Sequence, residues 1–287
     1  MAAGKRVVLV TGCAKGGIGY EYCKAFAEHD CHVFASDISQ RMSDLSDLRS
    51  HSNNNNNIET LELDVTSDES VAGAVDTIMS KFGQIDVVVN NAGVGITGPL
   101  AEIPTDQFLK AYEVNTVGAL RVAQHVVPHM AARRRGRIVN IGSVVGNVAT
   151  PWAGPYCASK AAVHAMTDTL RLELRPFDID VILVIPGSVR SNFGANASDK
   201  LRNFEWKMYK EFTEAITERA TASQGGKATD PRVFARHVAG EVLSAKAPKR
   251  VEFGHMSGLF RLLSWCPVWG RDAFMSNRFK LNRKVFI

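Results

Sequence analysis

The chain has 287 residues, with 34 Lys+Arg against 29 Asp+Glu for a formal charge of +5, and is 45% hydrophobic and 22% charged. That is globular composition, which excludes a collagen-like, a disordered or a disulfide-scaffold protein, and the length fits one large α/β domain. The positive balance is local: residues 246–287 hold nine Lys+Arg against Glu252 and Asp272, and the remainder is slightly acidic. Such a tail suits phosphate head groups, whereas no basic patch interleaved with aromatics and no nucleic-acid recognition motif is present. Five cysteines (Cys13, Cys23, Cys31, Cys157 and Cys266) lack paired spacing, so reduced intracellular thiols are expected, with neither a disulfide framework nor a metal site. The N-terminus enters an apolar strand after six residues, leaving no room for a signal peptide. No apolar run reaches the roughly 18 residues that spanning a membrane takes.

In chain order, the first apolar run, Arg6–Val10, is predicted as a strand. It opens into Thr11-Gly12-Cys13-Ala14-Lys15-Gly16-Gly17-Ile18-Gly19 ahead of a helix. In this turn Gly12, Gly17, Ile18 and Gly19 allow N–H groups at a helix N-terminus to approach a pyrophosphate without Cβ in the way. A second strand, His32–Ser36, ends at Asp37. A carboxylate there suits the two hydroxyls of an adenosine ribose and repels a 2′-phosphate, and Ile38 follows where an NADP enzyme prefers a cation, so NAD is favoured over NADP. Lys15, able to reach a phosphate from the turn, is the opposing signal. After the polar tract Asn53–Asn57, a surface loop following the second helix, a third strand, Glu59–Leu63, leads to Asp64 and Val65. A fourth, Val87–Asn90, leads to Asn91, Ala92 and Gly93. Four polar or small strand ends in a row make a dinucleotide groove.

A long helical pattern from Thr105 to Ala132 carries Asn115, and a fifth strand, Arg137–Ile141, is followed by Ser143. Tyr156 and Lys160 stand four apart on the next helix, so phenol and ammonium share a face. A tyrosine with an ordinary pKa of about 10 is a poor base at neutral pH, and a neighbouring cation favours its phenolate. Ser143 is placed to hydrogen-bond the reacting oxygen of a substrate, and Asn115 to hold a water behind Lys160. A sixth strand, Asp180–Ile185, passes through Pro186 and Gly187 to Val189 and Ser191, the start of a helical lid over residues 188–230. A last strand is predicted at Arg250–Phe253. Strand and helix in alternation, with continuously apolar strands, predict an α/β fold: a single-domain, Rossmann-type doubly wound parallel sheet spanning residues 1–255. Val94, Val145, Trp152, Phe193, Phe204, Trp206 and Tyr209 are the candidate apolar pocket walls, suited to a steroid, a terpenoid or an acyl chain. Residues 256–287 form a basic C-terminal extension in which Trp265 and Trp269 stand near cations, as in segments that lie on a membrane surface.

Thr11-Gly12 through Gly17-Ile18-Gly19, Asn90-Asn91-Ala92-Gly93, Asn115, Ser143, Tyr156-Cys157-Ala158-Ser159-Lys160 and Pro186-Gly187 resemble the short-chain dehydrogenase/reductases, over residues 5 to 250. The resemblance implies Tyr156 as acid/base, Lys160 binding the nicotinamide ribose and lowering the tyrosine pKa, Ser143 orienting the substrate and Asn115 maintaining a proton relay. It also implies a homodimer or homotetramer. Within the family, the extra glycine of the Lys15–Gly19 turn, the Ser188–Phe193 run and the basic C-terminus look like the 1-acyldihydroxyacetone-phosphate reductase subgroup of plants and fungi. That subgroup uses NADPH and carries an arginine after the second strand, where this chain has Asp37-Ile38; Ser191 replaces the family's usual threonine beside the nicotinamide carboxamide. Two activities follow as expectations. One is NAD-linked hydride transfer on a lipophilic secondary alcohol or ketone; the other is NADPH-dependent 1-acyldihydroxyacetone-phosphate reduction. The expected location is intracellular, either cytoplasmic or peripherally on the endoplasmic reticulum or lipid droplets.

Overall fold

Strands that are apolar along their whole length need cover on both faces, and the computed structural model, which describes residues 5–51, 57–193, 204–223 and 225–282, provides it. Seven strands, β1 (Val7–Thr11), β2 (His32–Asp37), β3 (Ile58–Glu62), β4 (Val87–Asn90), β5 (Gly136–Ile141), β6 (Ile179–Pro186) and β7 (Arg250–Phe253), form one parallel sheet in the order β3-β2-β1-β4-β5-β6-β7. Each of the seven was readable from the sequence, with ends displaced by at most one residue. The strand order reverses between β1 and β4, and a crevice therefore opens outside their carboxyl ends.

Helices α1 (Ile18–Glu28), α2 (Asp68–Phe82), α3 (Thr105–Tyr112), α4 (Gly118–Ala132), α5 (Gly154–Glu173), α6 (Thr213–Ala220), α7 (Pro231–Leu243), α8 (Ser257–Trp265) and α9 (Val268–Arg278) complete the fold. On one face Tyr22 and Phe26 of α1 and Phe234 and Val238 of α7 pack on Val8, Val10 and Val33. On the other, Val71, Val75 and Ile78 of α2 and Val122, Val126 and Met130 of α4 pack on Leu9, Phe34 and Val88. Local signals agree with these boundaries. Ser67 caps α2 by accepting the Ser70 N–H at 3.2 Å, Asp68 and Glu69 occupy its first turn, and Gly83 ends it with φ +66°.

Two elements differ from the sequence expectation. The second helix is a 3-10 helix, Ser39–His51, because its apolar residues Met42, Leu45 and Leu48 recur every third position, the period of that helix. The long pattern from Thr105 to Ala132 is interrupted by a π-turn, Glu113–Val117, between α3 and α4. The C-terminal extension is not an appendage: Phe260, Leu263 and Met275 of α8 and α9 pack on Val144, Val145, Leu183 and Ile185. Part of the lid (194–203 and 224), Asn53 to Asn56, and Arg283 and Lys284 of the basic tail lie outside the described residues. Among the described residues no helix is long and apolar enough to cross a membrane.

Candidate active site

A cavity of about 1100 Å³ lies over the carboxyl ends of β1, β2, β4, β5 and β6, under the lid and the C-terminal helices. Its nucleotide end is built by a staple between β1 and β4. Thr11 Oγ1 accepts the N–H groups of Asn91 (3.1 Å) and Ala92 (3.0 Å), and Asn91 Nδ2 donates to the carbonyls of Thr11 (2.9 Å) and Gly12 (2.8 Å). The glycine turn is pressed onto that staple: Gly12 has φ +70°, and a Cβ there would stand 2.7 Å from Ala92 Cα. A Cβ on Gly19 would stand 2.2 Å from the Gly12 carbonyl, so Gly19 sets the helix against the strand and is not in the cavity wall. No side chain caps α1 at Gly17, which leaves the N–H groups of its first turn for the oxygens of a ligand. This cradle fits a dinucleotide pyrophosphate.

Asp37 stands in the cavity wall with its carboxylate held by two N–H donors, Ala14 to Oδ2 at 2.7 Å and Ile38 to Oδ1 at 2.9 Å. Burial raises its pKa and the two donors oppose the rise. Lys15 lines the same end, but its amine is bonded to Asp47. Arg41, missed by a reading that stopped at Ile38, also lines it, and pairs with Asp44 at 3.2 Å. Asp64 and Val65 are in the wall, and Asp64 Oδ1 accepts both the N–H and the hydroxyl of Thr66. Ala92, Gly93, Pro186, Gly187, Val189 and Ser191 line the cavity as expected. Asn90 does not: it is buried below the floor, with Nδ2 donating to Asn140 Oδ1 at 2.8 Å and to the Ala119 carbonyl at 3.2 Å, so it ties β4 to β5 and α4.

At the other end, Ser143 follows β5 and caps the short turn Val144–Gly146. Tyr156 and Lys160 project from one face of α5 into the cavity, with Lys160 Nζ 5.7 Å from the centre of the Tyr156 ring and donating to the Ile141 carbonyl at 2.7 Å. Burial pushes the phenol up to about 12, while the neighbouring Ser143 hydroxyl and the charge of Arg219 pull it back. Burial also lowers Lys160 to about 8. Arg219 of the lid is thus a cation that opposes the rise of the phenol, and Lys160 Nζ stands 5.7 Å from the same ring.

Asn115 sits in the π-turn with its amide fully engaged. Oδ1 accepts the Val94 N–H at 2.8 Å, and Nδ2 donates to the Val94 carbonyl at 3.1 Å and to Ser159 Oγ at 2.9 Å. It pins the loop after β4 to α5, close beside Lys160: the Cβ position of Gly93 is 3.2 Å from Asn115 Oδ1 and 3.8 Å from Lys160 Nζ. His164, four residues beyond Lys160 on the same face, was also missed. Its Nε2 accepts the Ser143 N–H at 3.2 Å, so the ring proton is on Nδ1, facing Asn147 Oδ1 at 3.1 Å. The i, i+4 spacing from Tyr156 through Lys160 to His164 is the signal in the sequence that points to it.

Of the apolar walls, Val94, Val145 and Phe193 line the cavity, and the Phe193 ring lies 5.2 Å from that of Tyr156. Trp152 and Trp206 do not; they pack with Phe212, Ile216 and Tyr209 as the core of the lid, and Phe204 stacks on Trp206. These rings come from the turn before α5 and the irregular segment before α6, and they bury against each other and not against the cleft. Their place in the wall is taken by Phe260, Phe274 and Phe279 from α8, α9 and the residue after it, and by Arg219 of α6.

A family model described as short chain dehydrogenase matches residues 6–202. A short-chain dehydrogenase of Penicillium ochrochloron is 35% identical over 245 residues, covering 84% of this chain and 86% of its own. An NADPH-dependent 1-acyldihydroxyacetone phosphate reductase of Saccharomyces cerevisiae is 28% identical, covering 97% and 93%. The solved structure of a short-chain dehydrogenase from Streptomyces avermitilis superposes with a TM-score of 0.79 at 25% identity, over 98% of this chain and 100% of that one.

Burial lowers the His164 pKa to about 4, below the roughly 6.5 of an unfolded histidine. Between those values the unfolded chain binds the extra proton, so the stability His164 contributes is complete above pH 6.5 and is lost as pH falls toward 4, on the order of 3 kcal/mol. Urea unfolding of the wild type and His164→Gln between about pH 7 and 4.5 measures this. The pH slope of the variant is expected to be shallower by up to one proton; identical slopes would mean that His164 is not the titrating group.

Proposed function

The chain belongs to the short-chain dehydrogenase family and is an oxidoreductase acting on CH–OH and C=O groups, and from that premise we propose that it moves hydride between a nicotinamide dinucleotide and a lipophilic secondary alcohol or ketone. The observation that carries this reading is the convergence of Ser143, Tyr156 and Lys160 on one wall of a cavity whose other end is a dinucleotide cradle. Gly12, Gly17, Ile18, Asp64, Val65, Ala92, Gly93, Pro186, Gly187, Val189 and Ser191 would hold the dinucleotide, which when bound supplies or accepts the hydride. Ser143 Oγ holds the reacting oxygen of the substrate, and Tyr156 gives that oxygen a proton in reduction or removes one in oxidation. Lys160 binds the ribose, and Asn115 keeps its loop and Lys160 in register. The apolar wall of Val94, Val145, Phe193, Phe260 and Phe274 takes the body of the substrate and excludes water from the reacting atoms.

NAD is the preferred cofactor in this reading. Asp37 presents a fixed carboxylate at the ribose end, and the two cations beside it, Lys15 and Arg41, are already satisfied by Asp47 and Asp44. The second reading, NADPH-dependent reduction of 1-acyldihydroxyacetone phosphate, has in its favour the full-length similarity to the yeast enzyme of that name.

Two measurements test these assignments. Tyr156→Phe is expected to lower turnover about 10²- to 10⁴-fold with dinucleotide affinity retained, the range a proton-transfer group supplies; unchanged turnover rejects the mechanism. Fluorescence titration is expected to show NADH bound more tightly than NADPH, and Asp37→Ala to reverse or abolish that order. Tighter NADPH binding by the unmodified protein transfers the reading to the reductase.

The same proposal covers the C-terminal pair. Leu262, Trp265, Val268 and Trp269 of α8 and α9 are 62–85% exposed and lie among Arg261 and Arg271, a pattern that fits an anionic lipid surface. The protein is expected to co-sediment with vesicles containing phosphatidylserine, and Trp265→Ser/Trp269→Ser to stay in the supernatant. Equal partitioning of both forms disposes of membrane contact.

A further inference from the structure

The mechanism leaves a half-buried charge of the cavity unused. Arg219, in the last turn of α6, reaches into the cavity, where its Nε donates to Thr150 Oγ1 at 3.1 Å. Among the described residues no carboxylate pairs with it. The acids nearest in sequence on its own helix are taken: Glu218 by Arg278 at 3.3 Å and Glu214 by Lys280 at 3.9 Å. Elsewhere, half-buried guanidinium groups are met by carboxylates, Arg121 by Glu113 at 2.9 Å and Arg133 by Asp86 at 2.6 Å. A charge taken out of water without a partner is costly, and burial lowers the Arg219 pKa accordingly. The two terminal nitrogens of its fork, which suit two oxygens of one anion, have no hydrogen-bond partner among the described residues.

The position is as informative as the charge. The guanidinium is near enough to Tyr156 to act on its phenol, so a group bound to it lies in the same cavity as the reacting oxygen. Around it the wall is apolar: Val145, Phe193, Phe260 and Phe274 line the same space. A neutral steroid or terpenoid would fill that space and leave Arg219 desolvated and unpaired.

We propose that Arg219 is a specificity-determining residue that receives an oxyanion carried by the lipophilic substrate, either a carboxylate or a phosphate ester. This rests on the oxidoreductase reading and narrows its substrate class to anionic amphiphiles. It also has a consequence for the proton. An anion on Arg219 cancels the charge that draws the phenol pKa down, so Tyr156 remains a proton donor while such a substrate is bound, as reduction of a ketone requires.

The test is calorimetric titration of the dinucleotide-loaded protein, which keeps Lys15, Arg41 and the glycine turn covered, with hexyl phosphate, hexanoate and hexanol. At least one of the two anions is expected to bind about tenfold or more tightly than hexanol, the difference a charge-assisted hydrogen bond makes. Which of them binds tells a phosphate ester from a carboxylate. Arg219→Gln is expected to bring the anion within about threefold of the alcohol, Arg219→Lys to keep part of the difference, and Arg278→Gln, whose partner is Glu218, to keep all of it. The proposal is overturned if anion and alcohol bind alike, including no binding by either, or if the preference survives Arg219→Gln or is lost in Arg278→Gln instead. Thermal unfolding of each variant shows that it is folded. Turnover plays no part in this titration, so failure of the oxyanion site and failure of the Tyr156 chemistry are read separately.

Discussion

The carboxyl end of β5 is fastened to α5 by side chains one helical turn apart, and the reacting half of the cavity follows from that fastening. Lys160 bonds the Ile141 carbonyl, and His164 accepts the Ser143 N–H. Between them they fix the two residues on either side of Gly142, so the Ser143 hydroxyl meets the Tyr156 phenol without a loop having to find it. The fit leaves no spare volume: a Cβ on Gly142 or Gly146 would stand 2.3 Å or 2.7 Å from the His164 ring. Two buried polar groups bonded to strand-end backbone, His164 to Asn147 as well, leave little freedom at the site.

The nucleotide half rests on a different device, a strand-to-strand staple through Thr11 and Asn91. Because the staple joins β1 to β4 across the point where strand order reverses, it holds open the crevice that any doubly wound sheet has there. The two halves are rigid for independent reasons, and they meet at Gly93, whose Cβ position lies within 4 Å of both Asn115 and Lys160.

Strands, glycine turn and the tyrosine–lysine pair were readable in the sequence because each depends on spacing along the chain: period two or continuous apolarity, a strand before and a helix after, four residues between two side chains. What escaped depends on where distant segments meet. Asn90 stands at a strand end like Asp37 and Asp64, yet its amide turns inward to Asn140, a partner 50 residues away. Trp152 and Trp206 look like pocket walls until the lid folds and they find each other. The phenylalanines of α8 and α9 read as an extension and became wall, because they share with Cys157 and Val163 of α5 the cover of β6 and of the turn after β5. His164 was within reach of the same i+4 argument that found Lys160, and only a reading that stopped at the pair missed it.

Charge was the hardest quantity to read in advance. Counting bases placed the excess in the tail, but an arginine of the lid, Arg219, acts on the phenol, and burial lowers Lys160 to about 8. In a low-dielectric cavity burial drives the phenol up and the amine down, each toward its neutral form. An opposite charge held close to the ionised form of either group works against that drive, and on the phenol Arg219 is such a charge.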